Sequence, residues 1–189
     1  MVSVSKFTIS FIVLMLGLMI PQASFAFLMV EPHFNRVSGQ LPDSEEKNSF
    51  SGYKNGIRVG YVGENFMAGM NATLGNLTFS ENFDELAIDR YRYGGLGTYL
   101  GFRTERLKIW VGYLNSSLEP TDAAEGRYYG QAVSYGIGAN LFMHVYLNAE
   151  YFSDYFTQYE NDNTGETNSV EETIKIDGQF LSLSFLFEF

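Results

Sequence analysis

The sequence predicts an all-β protein that folds as a transmembrane eight-stranded antiparallel up-and-down β-barrel. The clearest observation is the final stretch FLSLSFLFEF, in which every odd position from 181 to 189 carries a large apolar side chain. The segments before it alternate in the same way, and long polar connections alternate with tight ones. A period of two is that of a β-strand, because successive side chains point to opposite faces of a sheet.

The beginning of the chain has the pattern of a secretory signal peptide. Lys6 precedes an apolar run over residues 7–20, and small residues then lead to a cleavage site after Ala26. The apolar run is too short to be a comfortable transmembrane helix. We therefore assign residues 1–26 to the signal peptide and residues 27–189 to the barrel, which has the length of one domain.

The composition excludes several classes of protein. The chain has 22 acidic and 12 basic residues and a net charge of −10, so nucleic acid is not expected as a partner. It contains no cysteine, which excludes disulfides, thiolate metal sites and a lipid-anchored N-terminal cysteine. A hydrophobic content of 46% is far from the polar composition of disordered chains.

Eight strands follow from the alternating segments and the connections between them. We place the strands at residues 27–40, 52–62, 66–79, 89–102, 107–117, 127–141, 144–157 and 173–189. The long connections are rich in Asp, Glu, Asn, Ser and Gly, and lie at residues 41–51, 80–88, 118–126 and 158–172. The tight ones lie at 63–65, at 103–106 and near Phe142. We therefore expect long loops at one end of the barrel and tight turns at the other.

Each strand has one apolar face and one face of small or polar residues. The apolar face consists of Ile57, Val59 and Tyr61 in the second strand and of Ala68, Met70, Ala72 and Leu74 in the third. It consists of Leu107, Ile109, Val111 and Tyr113 in the fifth strand and of Val133, Tyr135, Ile137, Ala139 and Leu141 in the sixth. A soluble β-protein shows the same alternation. Three features favour a membrane barrel whose apolar faces contact lipid: strands of roughly ten residues, the export signal, and an even strand number that closes the sheet.

With these features, residues 27–189 resemble the small eight-stranded bacterial outer-membrane barrels of the OmpA transmembrane domain and OmpX type. The resemblance implies a monomer in the outer membrane, surrounded by lipid and lipopolysaccharide. It also implies that the barrel-assembly machinery recognises the last strand, with Phe185, Phe187 and Phe189 as the assembly signal. Because nothing follows Phe189, we expect no peptidoglycan-binding domain of the kind found in full-length OmpA-type proteins.

Strand parity also places five cationic side chains on the lipid side near the long-loop end. These are Arg36, Arg90, Arg92, Arg127 and Lys175. A guanidinium group suits bidentate contact with phosphate, so we expect these residues to line the outer rim and contact lipopolysaccharide phosphates or headgroups. The alternative is that they extend to water without a specific partner.

The same parity places Glu31, His33, Arg58, Lys108 and Glu150 on the lumen face. Buried charges are tolerated when they are paired, so we predict an interior charge network that acts as a structural plug. The alternative is a conducting or proton-relay path. Since side chains fill the interior of an eight-stranded barrel, general porin activity is not expected.

One stretch of the acidic loops, ENDNTGETNSVE at residues 160–171, approximates the twelve-residue calcium loop. Glu160, Asp162, Thr164, Gly165 and Glu171 stand at its positions one, three, five, six and twelve. Glutamate is atypical at the first position, and no helices flank the stretch. We therefore expect solvated, mutually repelling loops rather than a metal site, and no cofactor.

Catalysis has little support in the sequence. Only His33 and His144 could act as general bases near neutral pH. Lipid A deacylases, which are barrels of this size, carry a serine two residues after a histidine on a late strand, whereas Tyr146 stands at that spacing here. Parity places His144 in the lumen at the tight-turn end. We expect a structural or surface-interaction role and no enzyme, with a small channel and a lipid A-modifying enzyme as alternatives.

Overall fold

The computed structural model describes residues 27–40, 49–80, 90–121, 126–161 and 164–189, so the predicted signal peptide lies outside the described residues. The strands are β1 Phe27–Gln40, β2 Ser49–Val62, β3 Phe66–Phe79, β4 Arg90–Arg103, β5 Leu107–Pro120, β6 Arg127–Phe142, β7 Val145–Glu160, β8 Thr167–Phe185 and the two-residue β9 Phe187–Glu188. Within the described residues, no helix is long and apolar enough to cross a membrane.

The sheet closes on itself, which confirms the predicted eight-stranded up-and-down barrel. Consecutive strands pair antiparallel, and β1 pairs both with β2 and with the last strand of the chain. The last strand is written as β8 and β9 because its ladder is interrupted between Phe185 and Phe187. The interruption faces the part of β1 that contains Pro32, and proline has no N–H to donate to a ladder.

Strand positions agree with the sequence prediction, but several strands are longer. The predicted long connection at 158–172 is wrong, because residues 158–160 pair with residues 167–169 and the turn between them spans only 161–166. β2 likewise begins at Ser49 and β5 continues to Pro120. Apart from the lumen-facing Phe50 and Leu118, these extensions carry mostly polar residues, since strand pairing above the apolar band does not require apolar side chains.

The outer surface carries an apolar band that starts at the tight-turn end. Outward side chains such as Leu74 and Leu181 are 73% and 62% exposed, as expected for residues that meet lipid instead of a protein core. Towards the long loops the outward side chains become polar on every strand, at Arg36, Asn55, Asn76, Arg92, Asn115, Gln131, Ser153 and Gln179. The level at which this change occurs is here called the polar boundary.

Candidate functional site

The lumen is filled by side chains in three layers. At the long-loop end lies an apolar group, here called the loop-end cluster, formed by Val37, Phe50, Leu77, Phe79, Tyr91, Tyr93, Leu118, Phe152, Phe156, Ile174, Ile176 and Phe180. At the other end lies the turn-end cluster, formed by Met29, Val62, Met67, Tyr99, Trp110, Tyr146 and Leu186. Between them lies a layer of buried polar and charged side chains, the charged layer.

Arg58 is the centre of the charged layer. Its Nη2 atom donates to Glu150 Oε2 at 2.6 Å, and its Nη1 atom lies 3.7 Å from Glu31 Oε2. The guanidinium group lies 4.4 Å from the ring centroid of Trp110, whose indole N–H donates to Glu150 at 3.2 Å. All four side chains are at least nine-tenths buried, so the carboxylates depend on Arg58 and its neighbours for charge compensation.

Lys108 completes the network that the sequence predicted. Its ammonium group donates to Glu31 and, at 3.2 Å, to the hydroxyl of Ser184. The amide of Asn148 donates to Ser182 at 3.2 Å and to Ser184 at 2.9 Å. Four strands, β1, β5, β7 and β8, are thereby joined across the lumen through charged and polar side chains.

A second ion pair, between Lys54 and Asp154, was missed by the sequence analysis. Lys54 Nζ lies 3.5 Å from Asp154 Oδ2, and the hydroxyl of Tyr93 donates to the same carboxylate at 3.3 Å. The ammonium group also lies 3.3 Å from the Tyr93 ring centroid and 3.7 Å from that of Phe152, so aromatic faces add cation–π attraction. The described part of the charged layer therefore has a balanced charge. It contains three cations, Arg58, Lys108 and Lys54, and three carboxylates, Glu31, Glu150 and Asp154.

The two histidines occupy different environments. His33 lies in the charged layer as predicted, 2% exposed, and its Nδ1 atom has no hydrogen-bond partner among the described residues. The prediction that His144 faces the lumen is wrong, because this residue lies in the turn between β6 and β7 and is exposed. The chain reverses at residues 143–144 with Met143 at φ 47°, which ends the strand parity on which the prediction depended.

An ion pair near the turn-end mouth of the lumen was also missed. Arg103, the last residue of β4, contacts Glu188 of β9 through both of its terminal nitrogens. The two residues are on opposite sides of the mouth, 85 positions apart in the chain. This contact connects the C-terminal strand to β4 below the turn-end cluster.

The structure places all five predicted rim cations on the outer surface at or above the polar boundary. Two of them are paired: Arg127 donates to Glu119 at 3.1 Å, and Lys175 lies 3.1 Å from Asp177. The remaining three, Arg36, Arg90 and Arg92, are exposed and form no ion pair with any described residue.

The predicted assembly residues Phe185, Phe187 and Phe189 all point outwards at the tight-turn end. Phe189 is 74% exposed, and its backbone N–H and carbonyl both bond to Leu28 of β1. The chain terminus is therefore held in the sheet while its aromatic side chains point away from the lumen.

The calcium-like stretch falls partly outside the described part of the chain, since Asp162 and the side chain of Glu171 are not described. Of the remaining candidates, Glu160 accepts a hydrogen bond from Tyr129 at 2.7 Å, and Thr164 accepts one from the backbone of Glu166. No group of three metal-ligating side chains occurs among the residues that the structure describes.

No protein-family model and no curated protein matches the chain. Among solved structures, Neisserial surface protein A aligns with a TM-score of 0.50 and 16% identity, over 86% of this chain and 97% of that one. Ail, the attachment invasion locus protein of Yersinia pestis crystallised with the heparin analogue sucrose octasulfate, aligns with a TM-score of 0.52 and 11% identity, over 86% and 99%. The outer membrane protein OprG from Pseudomonas aeruginosa gives 0.45 and 12%, over 86% and 96%. The first two similarities show that the chain has the fold of the small eight-stranded outer-membrane barrels.

Proposed function

We propose that the chain is an integral protein of the bacterial outer membrane that acts in envelope integrity or surface interaction, with a plugged lumen and acidic extracellular loops. The observation that carries the proposal is the combination of an apolar outer band with a lumen closed by two apolar clusters around a balanced charged layer. Such a molecule is stable only where lipid covers its outside. Its closed lumen supports a structural role and argues against transport.

A channel is disfavoured by the order of the layers. An ion entering from the long-loop end meets the loop-end cluster, whose residues Phe152, Phe156 and Phe180 are 8% exposed or less. Moving a bare ion into such surroundings carries a large desolvation penalty. The turn-end cluster closes the other side of the charged layer. A path through the charged layer alone would therefore still be blocked at both ends.

Catalysis is disfavoured by the positions of the histidines. His33 is enclosed in the charged layer, and His144 lies at the tight-turn end, on the side of the membrane away from outer-leaflet lipid. Neither is placed to activate a nucleophile against a lipid of the outer leaflet.

The plugged lumen predicts a folded protein that does not conduct. Residues 27–189 refolded into detergent are expected to give a β-rich circular dichroism spectrum and a heat-dependent shift in electrophoretic mobility. Single-channel recording of the same sample is expected to show no steady conductance. Steady conductance from the heat-shifted species would contradict the plug, and failure to form detergent-stable β-structure would contradict the barrel.

The rim supports a contact with lipopolysaccharide. Arg36 projects from β1, and Arg90 and Arg92 both project from β4, at the headgroup level; each is free of ion pairs with described residues. Guanidinium groups at this level are suited to the phosphates of an outer-leaflet lipid. Arg127 and Lys175 already hold carboxylates, so we assign them a weaker part in this contact.

The C-terminal strand predicts an assembly defect. Replacing Phe189 with serine is expected to lower the amount of protein in the outer membrane severalfold, because the assembly signal loses its terminal aromatic residue. Phe142→Ser is the matched control, since Phe142 is an outward aromatic residue at the same end, 63% exposed, that lies outside the last strand. Quantitative blotting of outer-membrane fractions measures both variants, and equal amounts of the two would remove the assembly role.

A further inference from the structure

A groove of about 680 Å³ crosses the outer surface from β4 to β8. One wall includes the outward side chains of Tyr135, Tyr151 and Gln179, which are paired in register across β6, β7 and β8. The other wall includes Ile109 and Ile137. Its volume is within the range of small-ligand sites, about 300–1,000 Å³, but it opens towards the hydrocarbon level instead of towards water.

Ala149 gives the groove its depth. It faces outwards on β7 between Ile137 of β6 and Leu181 of β8, so a small side chain interrupts a row of large ones. On the opposite wall the rings of Tyr135 and Tyr151 stack with centroids 5.1 Å apart, which makes that wall continuous and rigid. A larger side chain at position 149 would fill the groove without affecting the lumen.

The groove is long enough to hold one lipid chain. Four steps between neighbouring strands, each about 4.8 Å, give a length of about 19 Å. The groove runs diagonally from the tight-turn end of β4 to Gln179 on β8 at the polar boundary, so it crosses the whole apolar band. One leaflet of a hydrocarbon core about 30 Å thick is about 15 Å deep, so an acyl chain of the outer leaflet would occupy the part of the groove nearest β8, which contains Ala149 and Tyr151.

A cation lies where the groove reaches this boundary. Arg36 of β1 is directly opposite Leu181, and its neighbour Ser38 is opposite Gln179. Arg36 is exposed and has no ion pair with a described residue. An apolar groove that ends at an unpaired guanidinium group has the two features that recognise an acyl chain and a phosphate on one molecule.

We propose that this groove and Arg36 form a binding site for the lipid A part of lipopolysaccharide, with one acyl chain in the groove and one phosphate on Arg36. The inference rests on the proposed outer-membrane function. Transfer from bulk lipid into the groove brings no hydrophobic gain, since both surroundings are apolar. Preference for lipid A comes from packing against the tyrosine wall and from the charge-assisted contact at Arg36.

Lipid retention tests the site directly. The protein is reconstituted into phosphatidylcholine vesicles with a minor fraction of either bisphosphorylated lipid A or phosphatidylglycerol, extracted in mild detergent and examined by native mass spectrometry. Ala149→Phe and Arg36→Gln are each expected to lower retained lipid A about threefold, the effect of losing a contact as strong as an exposed ion pair. Ala149→Leu serves in place of the phenylalanine variant if the latter folds poorly, as judged by heat-shifted mobility.

Matched controls separate the groove from the rest of the surface. Ala72→Phe enlarges an outward alanine on β3, away from the groove, and Arg106→Gln removes a cation from a tight turn; both are expected to retain lipid A like the wild type. Equal retention by Ala149→Phe and Ala72→Phe would overturn the site. If Arg90→Gln/Arg92→Gln lowers retention while Ala149→Phe does not, the groove is wrong and the rim contact survives. Equal losses of lipid A and phosphatidylglycerol would overturn lipid A as the occupant.

Discussion

Replacing Arg58 with methionine is expected to lower the free energy of unfolding by about 3–5 kcal/mol, the usual cost of leaving a buried charge without its partner. The variant removes the 2.6 Å contact to Glu150 and the 3.7 Å contact to Glu31. Glu31 keeps Lys108, whereas among the described residues the hydrogen-bond donor left to Glu150 is the neutral indole N–H of Trp110. The loss therefore falls mainly on Glu150, which is 8% exposed.

Urea-induced unfolding in lipid vesicles measures this loss. Trp110 is the single tryptophan of the chain, and its ring lies 4.4 Å from the guanidinium group, so its fluorescence reports on the charged layer. Because the substitution itself alters the surroundings of Trp110, the folded fraction is also followed by heat-shifted mobility. The control Lys175→Gln breaks an outward ion pair with Asp177, and its stability is expected to be close to that of the wild type.

A double variant separates charge compensation from packing. Arg58→Met/Glu150→Met removes one cation and one carboxylate, so the layer is balanced again. It is expected to recover most of the stability lost in Arg58→Met, because buried ion pairs are often replaceable by apolar residues of similar volume. A double variant as unstable as the single one would show that Arg58 stabilises the barrel through packing against Trp110 instead of through charge.

The strands and their two faces could be predicted from the sequence because the period of two is a local property. Lys54 and Asp154 lay within that pattern, four residues from Arg58 and Glu150 on the same faces, and strict use of parity would have found them. The error at His144 has a different cause, since a turn ends the alternation and parity no longer applies beyond it.

Contacts across the barrel could not be predicted in the same way. The pair Arg103 and Glu188 depends on the stagger of eight strands, and one sequence without a structure does not specify that stagger. The groove has the same origin, because the depth at Ala149 depends on which side chains of β4 to β8 share a row. The turn at residues 161–166 was overestimated in length because polar strand residues above the membrane resemble loop residues.

Two strands approach each other closely where Gly60 of β2 faces Gly69 of β3. A Cβ atom built on Gly60 would lie 2.1 Å from the carbonyl oxygen of Ala68 and 2.6 Å from the Cα of Gly69. These are backbone atoms of the neighbouring strand, so no change of side-chain rotamer relieves the overlap. The two strands would have to move apart, with loss of ladder hydrogen bonds and of packing in the turn-end cluster.

Gly60→Ala is therefore expected to lower the free energy of unfolding by about 2–3 kcal/mol, at the upper end of the cost of overpacking. Gly63→Ala is the matched control, because a Cβ at Gly63 would meet nothing nearer than the carbonyl oxygen of Phe66 at 3.9 Å. Both variants add the same methyl group three residues apart, so differences in the unfolded chain largely cancel. Equal urea midpoints for the two variants would mean that β2 and β3 are farther apart in the membrane than this register requires.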